Sequence, residues 1–226
     1  YVNLVDGGTI SGSATATLSF SAVAQSDAGH YRCVITDSGT PQSVTSSDGT
    51  LTVTNNIGVA FPDPTRDVYS GQSYTFNPTV AGGNPGSYVY LWEHDGGSGF
   101  VTVSNGGGYG GATTQNLTIN PASATHGGTY RLTVSDGVNS PDSGSVTFNV
   151  HAPVSVTVDP QAVNLYEGQS ANFSVTATGG IGSLNYNWRK NGVSLGAANQ
   201  PTLAFTPVLA DNAASIDCVV TDSVTS

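Results

Sequence analysis

The chain has 226 residues, of which only 9% are charged, and acids outnumber bases 15 to 5 for a net charge of −10. That balance argues against a nucleic-acid partner, whose phosphates need a Lys/Arg surface, and against docking on an anionic membrane. Hydrophobic residues reach 37%, enough for packed cores, and no apolar run approaches the roughly 20 residues that span a bilayer.

An internal repeat organises the chain. Its first copy runs Leu18-Ser-Phe20, Asp27-Ala-Gly29-His-Tyr31-Arg-Cys33 and Thr36-Asp37. The second runs Leu117-Thr-Ile119, His126-Gly-Gly128-Thr-Tyr130-Arg-Leu132 and Ser135-Asp136. The third runs Leu203-Ala-Phe205, Asn212-Ala-Ala214-Ser-Ile216-Asp-Cys218 and Thr221-Asp222. The step from the leading Leu to the Cys/Leu position is 15 residues in each copy, and the step from there to the closing Asp is 4. A second marker, Gly71-Gln72-Ser73, recurs as Gly168-Gln169-Ser170, and Trp92 recurs as Trp188. The period is that of a small β-sandwich domain. Tyr74–Phe76, Tyr88–Trp92, Val146–Val150, Val154–Val158 and Phe173–Val175 alternate with period two and are rich in Val, Thr, Tyr and Phe, so they are predicted strands. The only helical element expected is a single turn near Ala24–Asp27 and at its equivalents.

Asp27-Ala-Gly-His-Tyr31-Arg-Cys33 resembles the Asp-x-Gly-x-Tyr-x-Cys corner of immunoglobulin domains, where the Tyr hydroxyl ties a turn to nearby backbone and the Cys faces the core. Trp92 and Trp188 resemble the strand C tryptophan, and Gly-Gln-Ser the turn into strand B. The resemblance covers essentially the whole chain and is nearest to I-set-like repeats of large bacterial extracellular proteins. It implies an all-β fold of tandem Ig-like β-sandwich domains in an extracellular or cell-surface setting. Residues 1–54 are expected to form a partial domain with strands C to G. Residues 57–151 form a complete one, and 153–226 a partial one lacking strand G. Asn55–Gly58 and His151–Pro153 read as linkers. Such ends suit a window on a longer array, or completion of the sandwiches by a neighbouring chain. The resemblance places Tyr31, Cys33, Trp92, Tyr130, Leu132, Trp188 and Cys218 in the cores. The strand B partner of a strand F cysteine would be Val175 in the third repeat, and Pro78 faces Leu132 in the second. Cys33 and Cys218 are therefore expected as unpaired, small buried hydrophobes.

Signs of chemistry are sparse. The histidines (His30, His94, His126, His151) are scattered, with no His-x-His or His-x-x-x-His pair, and no Gly-x-Ser-x-Gly elbow or phosphate loop is present. No catalytic residue and no enzyme activity are expected. Asp63 and Asp67, near Asp37, Asp48, Asn55 and Asn56, are weak candidate calcium ligands, weighed against plain solvated acids; no other cofactor is suggested. Lys190, the single lysine, reads as turn-side rather than as a buried cross-linking residue. On the outer face of the predicted strand C, the second repeat has Val89 and Leu91 where the third has Asn185, Asn187 and Arg189. Val89 and Leu91 are therefore a candidate contact patch, weighed against isolated surface hydrophobes. Trp92 to Leu117 is ten residues longer than Trp188 to Leu203. This reads as an insertion whose glycine-rich loop carries Tyr109 at its tip, either as a recognition element or as an idle hairpin. Two functional readings stay open. One is a structural repeat of a surface fibre, filament or stalk that self-associates or joins neighbouring repeats. The other is a binding module, as an adhesin tip or an accessory carbohydrate-binding domain of a secreted enzyme.

Overall fold

The computed structural model describes residues 1–39, 42–141, 143–166 and 168–223. Among them the regular structure is all β, broken by four single 3-10 turns, and no helix is long and apolar enough to cross a membrane. Contacts group the chain into two compact units. One is 1–58, 80–88 and 134–141; the other is 59–79, 89–133 and 142–226.

In the first repeat β1 (Ile10–Ser11) pairs antiparallel with β2 (Ser19–Phe20). β3 (Gly29–Tyr31), β4 (Val34–Thr36), β5 (Ser43–Thr45) and β6 (Gly49–Leu51) follow, with β3 paired to β6 and β4 to β5. No described residue before Ile57 is buried. This corrects the expected core: Cys33 is exposed and Tyr31 only half-buried. The reason is that, among the described residues of this repeat, the opposing sheet has only two strands: β2 pairs with β1 alone, so little is packed on the inner face. What remains is one edge-to-face pair, Phe20 on Tyr31 at 5.5 Å between centroids.

The second repeat contains β7 (Gly58–Ala60), β8 (Thr65–Tyr69), β9 (Tyr74–Phe76), β10 (Thr79–Ala81), β11 (Val89–Asp95), β12 (Val101–Thr102), β13 (Tyr109–Gly110), β14 (Leu117–Ile119), β15 (Gly128–Ser135) and β16 (Val146–His151). One sheet has the order β12-β11-β15-β16-β8, with β8 parallel to β16; a second has the order β13-β14-β9. Strand alternation sorts the residues: Tyr130 and Leu132 of β15 are buried, while Thr129, Arg131 and Thr133 between them are not. Phe76 lies 5.7 Å from Trp92, 4.9 Å from Tyr130 and 5.3 Å from Phe148, centroid to centroid. Such offset pairs add about 0.5–1.5 kcal/mol each beyond area burial. The Trp92 indole N–H donates to the Thr114 carbonyl at 2.9 Å, so the largest core residue leaves no polar atom unpaired. His151, read from sequence as a linker residue, is the last residue of β16.

The third repeat contains β17 (Ser155–Asp159), β18 (Ala171–Thr178), β19 (Leu184–Lys190), β20 (Val193–Ser194), β21 (Thr202–Phe205) and β22 (Ile216–Asp222), in sheets ordered β17-β18-β21 and β20-β19-β22. Its core is Ala171, Phe173, Val175, Trp188, Leu203 and Cys218. Trp188 sits directly opposite Cys218 in the β19/β22 register, and its indole N–H donates to Gln200 at 3.0 Å. Cys218 is unpaired and buried, and that burial pushes its thiol pKa up. Residues 224–226, the end of the third predicted domain, lie outside the described residues.

Candidate functional site

Three local devices recur, and each is set by a few residues. The first is the turn before β9 and β18. The Gln72 amide oxygen accepts the Tyr69 N–H at 3.0 Å, and the Gln169 amide oxygen accepts the Tyr166 N–H at the same distance. The second is the turn leading into β3, β15 and β22. Tyr31 donates its hydroxyl to Asp27 O at 2.5 Å and Tyr130 donates to His126 O at 2.8 Å. The side chains of Asp27, His126 and Asp211 each accept the backbone N–H three residues earlier, at 2.8, 3.0 and 3.0 Å. In the third repeat the capping residue is thus Asp211, not Asn212 as an ungapped alignment has it. An additional residue is absorbed at Ala213, which adopts φ +60°.

The third device is the glycine-rich loop. It is no insertion peculiar to the second repeat, because residues 6–18 form the same structure as 105–117. Asp6 accepts Ser13 N–H at 2.7 Å and Asn105 accepts Ala112 N–H at 2.9 Å. Thr15 and Thr114 each donate to the carbonyl three residues before and to the carbonyl two residues after. Gly12 and Gly111 sit at φ +80° and +77°, each with a carbonyl where a Cβ would be. Extending the first alignment twelve residues upstream of Leu18 reveals this match. Tyr109 is not at the loop tip either. It lies in β13, its hydroxyl 2.8 Å from that of Tyr130 and its ring edge-on to His126 at 4.9 Å. Burial pushes both phenol pKa values up.

Between repeats the same clamp is built twice. At the first junction Gly83 N–H donates to Asn55 O at 2.6 Å, and the Asp136 carboxylate accepts Asn84 N–H at 3.1 Å. A Cβ on Gly82 would lie 2.2 Å from Asn56 O, and one on Gly83 would lie 2.4 Å from Ile57. At the second junction Gly180 N–H donates to Ala152 O at 2.9 Å, and Asp222 accepts Ile181 N–H at 2.8 Å. A Cβ on Gly179 would lie 2.3 Å from Pro153 O, and one on Gly180 would lie 2.9 Å from Val154. Each linker therefore lies against two side-chain-free residues at positive φ, while the Asp that closes the repeat motif holds the same loop from the other side. Tyr69, at the end of β8, adds a hydroxyl bond to Asp222, which holds the phenol above its usual range. Backbone N–H groups of Asn139, Val138 and Asn84 hold Asp136 below the usual carboxylate range. The sequence signal was present in the closing Asp and in the Gly-Gly pairs, which are 97 residues apart like Gly-Gln-Ser.

On β11, Val89 is 67% exposed and Leu91 40%. The neighbouring strand β12 presents Val101, 63% exposed. The strip is bordered by Glu93, which accepts from Arg131 Nε at 2.7 Å, while that guanidinium lies over the Phe100 ring at 4.2 Å. In the third repeat the same face is polar: Arg189 pairs with Asp217, Asn187 with Ser194 and Asn185 with Asn199. Lys190 reaches Asp211 at 2.6 Å. Asp63 is bonded to Arg66; Asp67 accepts from His151 at 2.8 Å and Asn149 at 3.0 Å. Of the other acids and amides considered as calcium ligands, Asp37 accepts Gly39 N–H, Asp48 accepts the Tyr1 hydroxyl, and Asn55 accepts from Gln25. Among the described residues, no group of three His, Cys, Asp or Glu is arranged to hold a metal ion.

No known family's sequence profile matches the chain, and no curated protein matches it. Solved structures do. Drosophila OTK extracellular domains 3–5 superpose with a TM-score of 0.52 at 19% identity, covering 95% of this chain and 74% of that one. The N-terminal four Ig domains of Dscam1 isoform 6.9 match with a TM-score of 0.47 at 20% identity over 91% of this chain. The chain spans 54% of that structure, about half its length. With the sheet orders above, the OTK match defines the class: a tandem Ig-like β-sandwich protein.

Proposed function

We propose that the chain is a structural repeat segment of an extracellular fibre, filament or stalk, in which clamped linkers hold successive Ig-like domains at fixed spacing. The observation that carries this reading is the clamp itself, built at both junctions from the same residue types in the same geometry. A loose tether needs no such device. Linker carbonyls bonded to the next repeat's loop remove the freedom that a flexible linker keeps. The wealth of surface Ser, Thr, Gly and Asn and the low charge suit this setting, and neither the tyrosine network nor the ion pairs resembles a catalytic arrangement. The exposed Val89, Leu91 and Val101 strip supports a role as a contact face between copies or with a neighbouring protein. Tyr109, packed inward, no longer supports a recognition loop. The test is electron microscopy of the native protein as it comes off its source surface. Straight rods with a constant bead spacing are expected. Beads joined at all angles would contradict the reading.

A further inference from the structure

We propose that His126 is a pH-operated latch on the glycine-rich loop of the second repeat. Asp27 and Asp211 cap their turns with carboxylates, whereas His126 caps its turn with an imidazole. Its Nδ1 accepts the Ser123 N–H at 3.0 Å, so that nitrogen carries no proton. Its Nε2 lies 2.9 Å from Gly107 O, a carbonyl that can only accept, so the proton sits on Nε2 and the ring is neutral. The side chain thereby joins the 3-10 turn to the loop. Gly108 lies so close that a Cβ there would be 2.8 Å from Nε2.

A second proton would have to go on Nδ1. The Ser123 hydroxyl, 2.8 Å away, can rotate to accept it, since it has Thr125 Oγ1 at 2.9 Å to take its own hydrogen. The Ser123 N–H cannot rotate, and it loses its acceptor while facing a new donor. The ring is only 6% exposed, so the added charge is also poorly hydrated. The titratable groups around it offer no anion. Tyr109 of β13 meets the ring, Tyr130 of β15 donates to the His126 carbonyl, and His94 of β11 stacks on Tyr130 at 4.4 Å. Glu93 and Arg131 are bonded to each other, and the Asp95 carboxylate accepts from Gly97 and Gly99. His151, on β16, which packs against this turn, is engaged by Asp67. Protonation of the ring on acidification therefore opens the latch, a response that the carboxylate caps of the other two repeats, which have no imidazole, do not share.

The experiment is amide hydrogen exchange read by NMR on the full chain at about pH 7.5 and about pH 5, corrected for intrinsic rates. Protection of Ser123 and of the 105–111 loop is expected to fall about tenfold or more, with the Trp92 core amides unchanged. His94→Gln should keep the response, and His126→Asp, which restores a carboxylate cap, should abolish it. Equal loop protection at both pH values in the wild-type chain would overturn the proposal, and so would loss of the response in His94→Gln.

Discussion

The first and second repeats share turns but not a core. Leu117, Ile119, Tyr130, Leu132 and Val134 are all 0% exposed. Of their equivalents, Leu18 is 36% exposed, Ile35 is 69%, Cys33 is exposed, and Phe20 and Tyr31 are half-buried. Yet the glycine-rich loop, the side-chain cap and the tyrosine corner have the same bonds in both. Local hydrogen-bonded devices depend on their own few residues. Burial depends on a complete second sheet, which the second repeat supplies in β13, β14 and β9; among the described residues of the first only β1 and β2, the counterparts of β13 and β14, are present.

Substitutions at matched positions test this division. The largest contrast is at the strand position facing the core. Leu132→Ala should cost about 2–5 kcal/mol in denaturant unfolding followed by tryptophan fluorescence, whereas Cys33→Ala should stay within about 0.5 kcal/mol. Equal effects would break the comparison. Next is the loop glycine: Gly111→Ala places a Cβ 2.3 Å from Asn116 O and should cost about 1–3 kcal/mol in the same transition. Gly12→Ala is equally strained and should disorder its loop in NMR while leaving that transition in place. A smaller effect is expected of Tyr130→Phe, about 0.5–1.5 kcal/mol, because it removes a buried hydroxyl that links His126 O to Tyr109. Thiol titration gives the simplest contrast: one fast-reacting cysteine per native chain, Cys33, and two after denaturation, since Cys218 is covered. Two fast thiols in the native state would refute the burial assigned to Cys218.

Much of the architecture was legible because period-two alternation and the Tyr and Trp markers are carried by single residues. Trp92, Tyr130, Trp188 and Cys218, which the resemblance places in the cores, are buried. Cys33 shows the limit: its sequence context matches Leu132, and nothing local reports whether another sheet lies opposite. Tyr109 shows a second limit. A tyrosine among glycines looks like an exposed tip, but its pairing to β14 turns the ring toward Tyr130 and His126. The clamps are not legible in sequence, because a Gly-Gly pair and a strand-end Asp acquire meaning only when folding brings them to one linker.

The proposed function requires that the Asp-and-glycine clamps fix the linkers. Asp136 is held as the anion by backbone donors, so its contribution is present above the carboxylate range and is lost as pH falls through the depressed native value. The most direct measurement is a spin-label distance distribution between Thr102→Cys and Ser194→Cys in a Cys33→Ser chain, with and without Asp222→Ala. A narrow distribution is expected at neutral pH, and it should broaden in Asp222→Ala. A distribution already broad before Asp222 is changed, or unchanged by its loss, would contradict it.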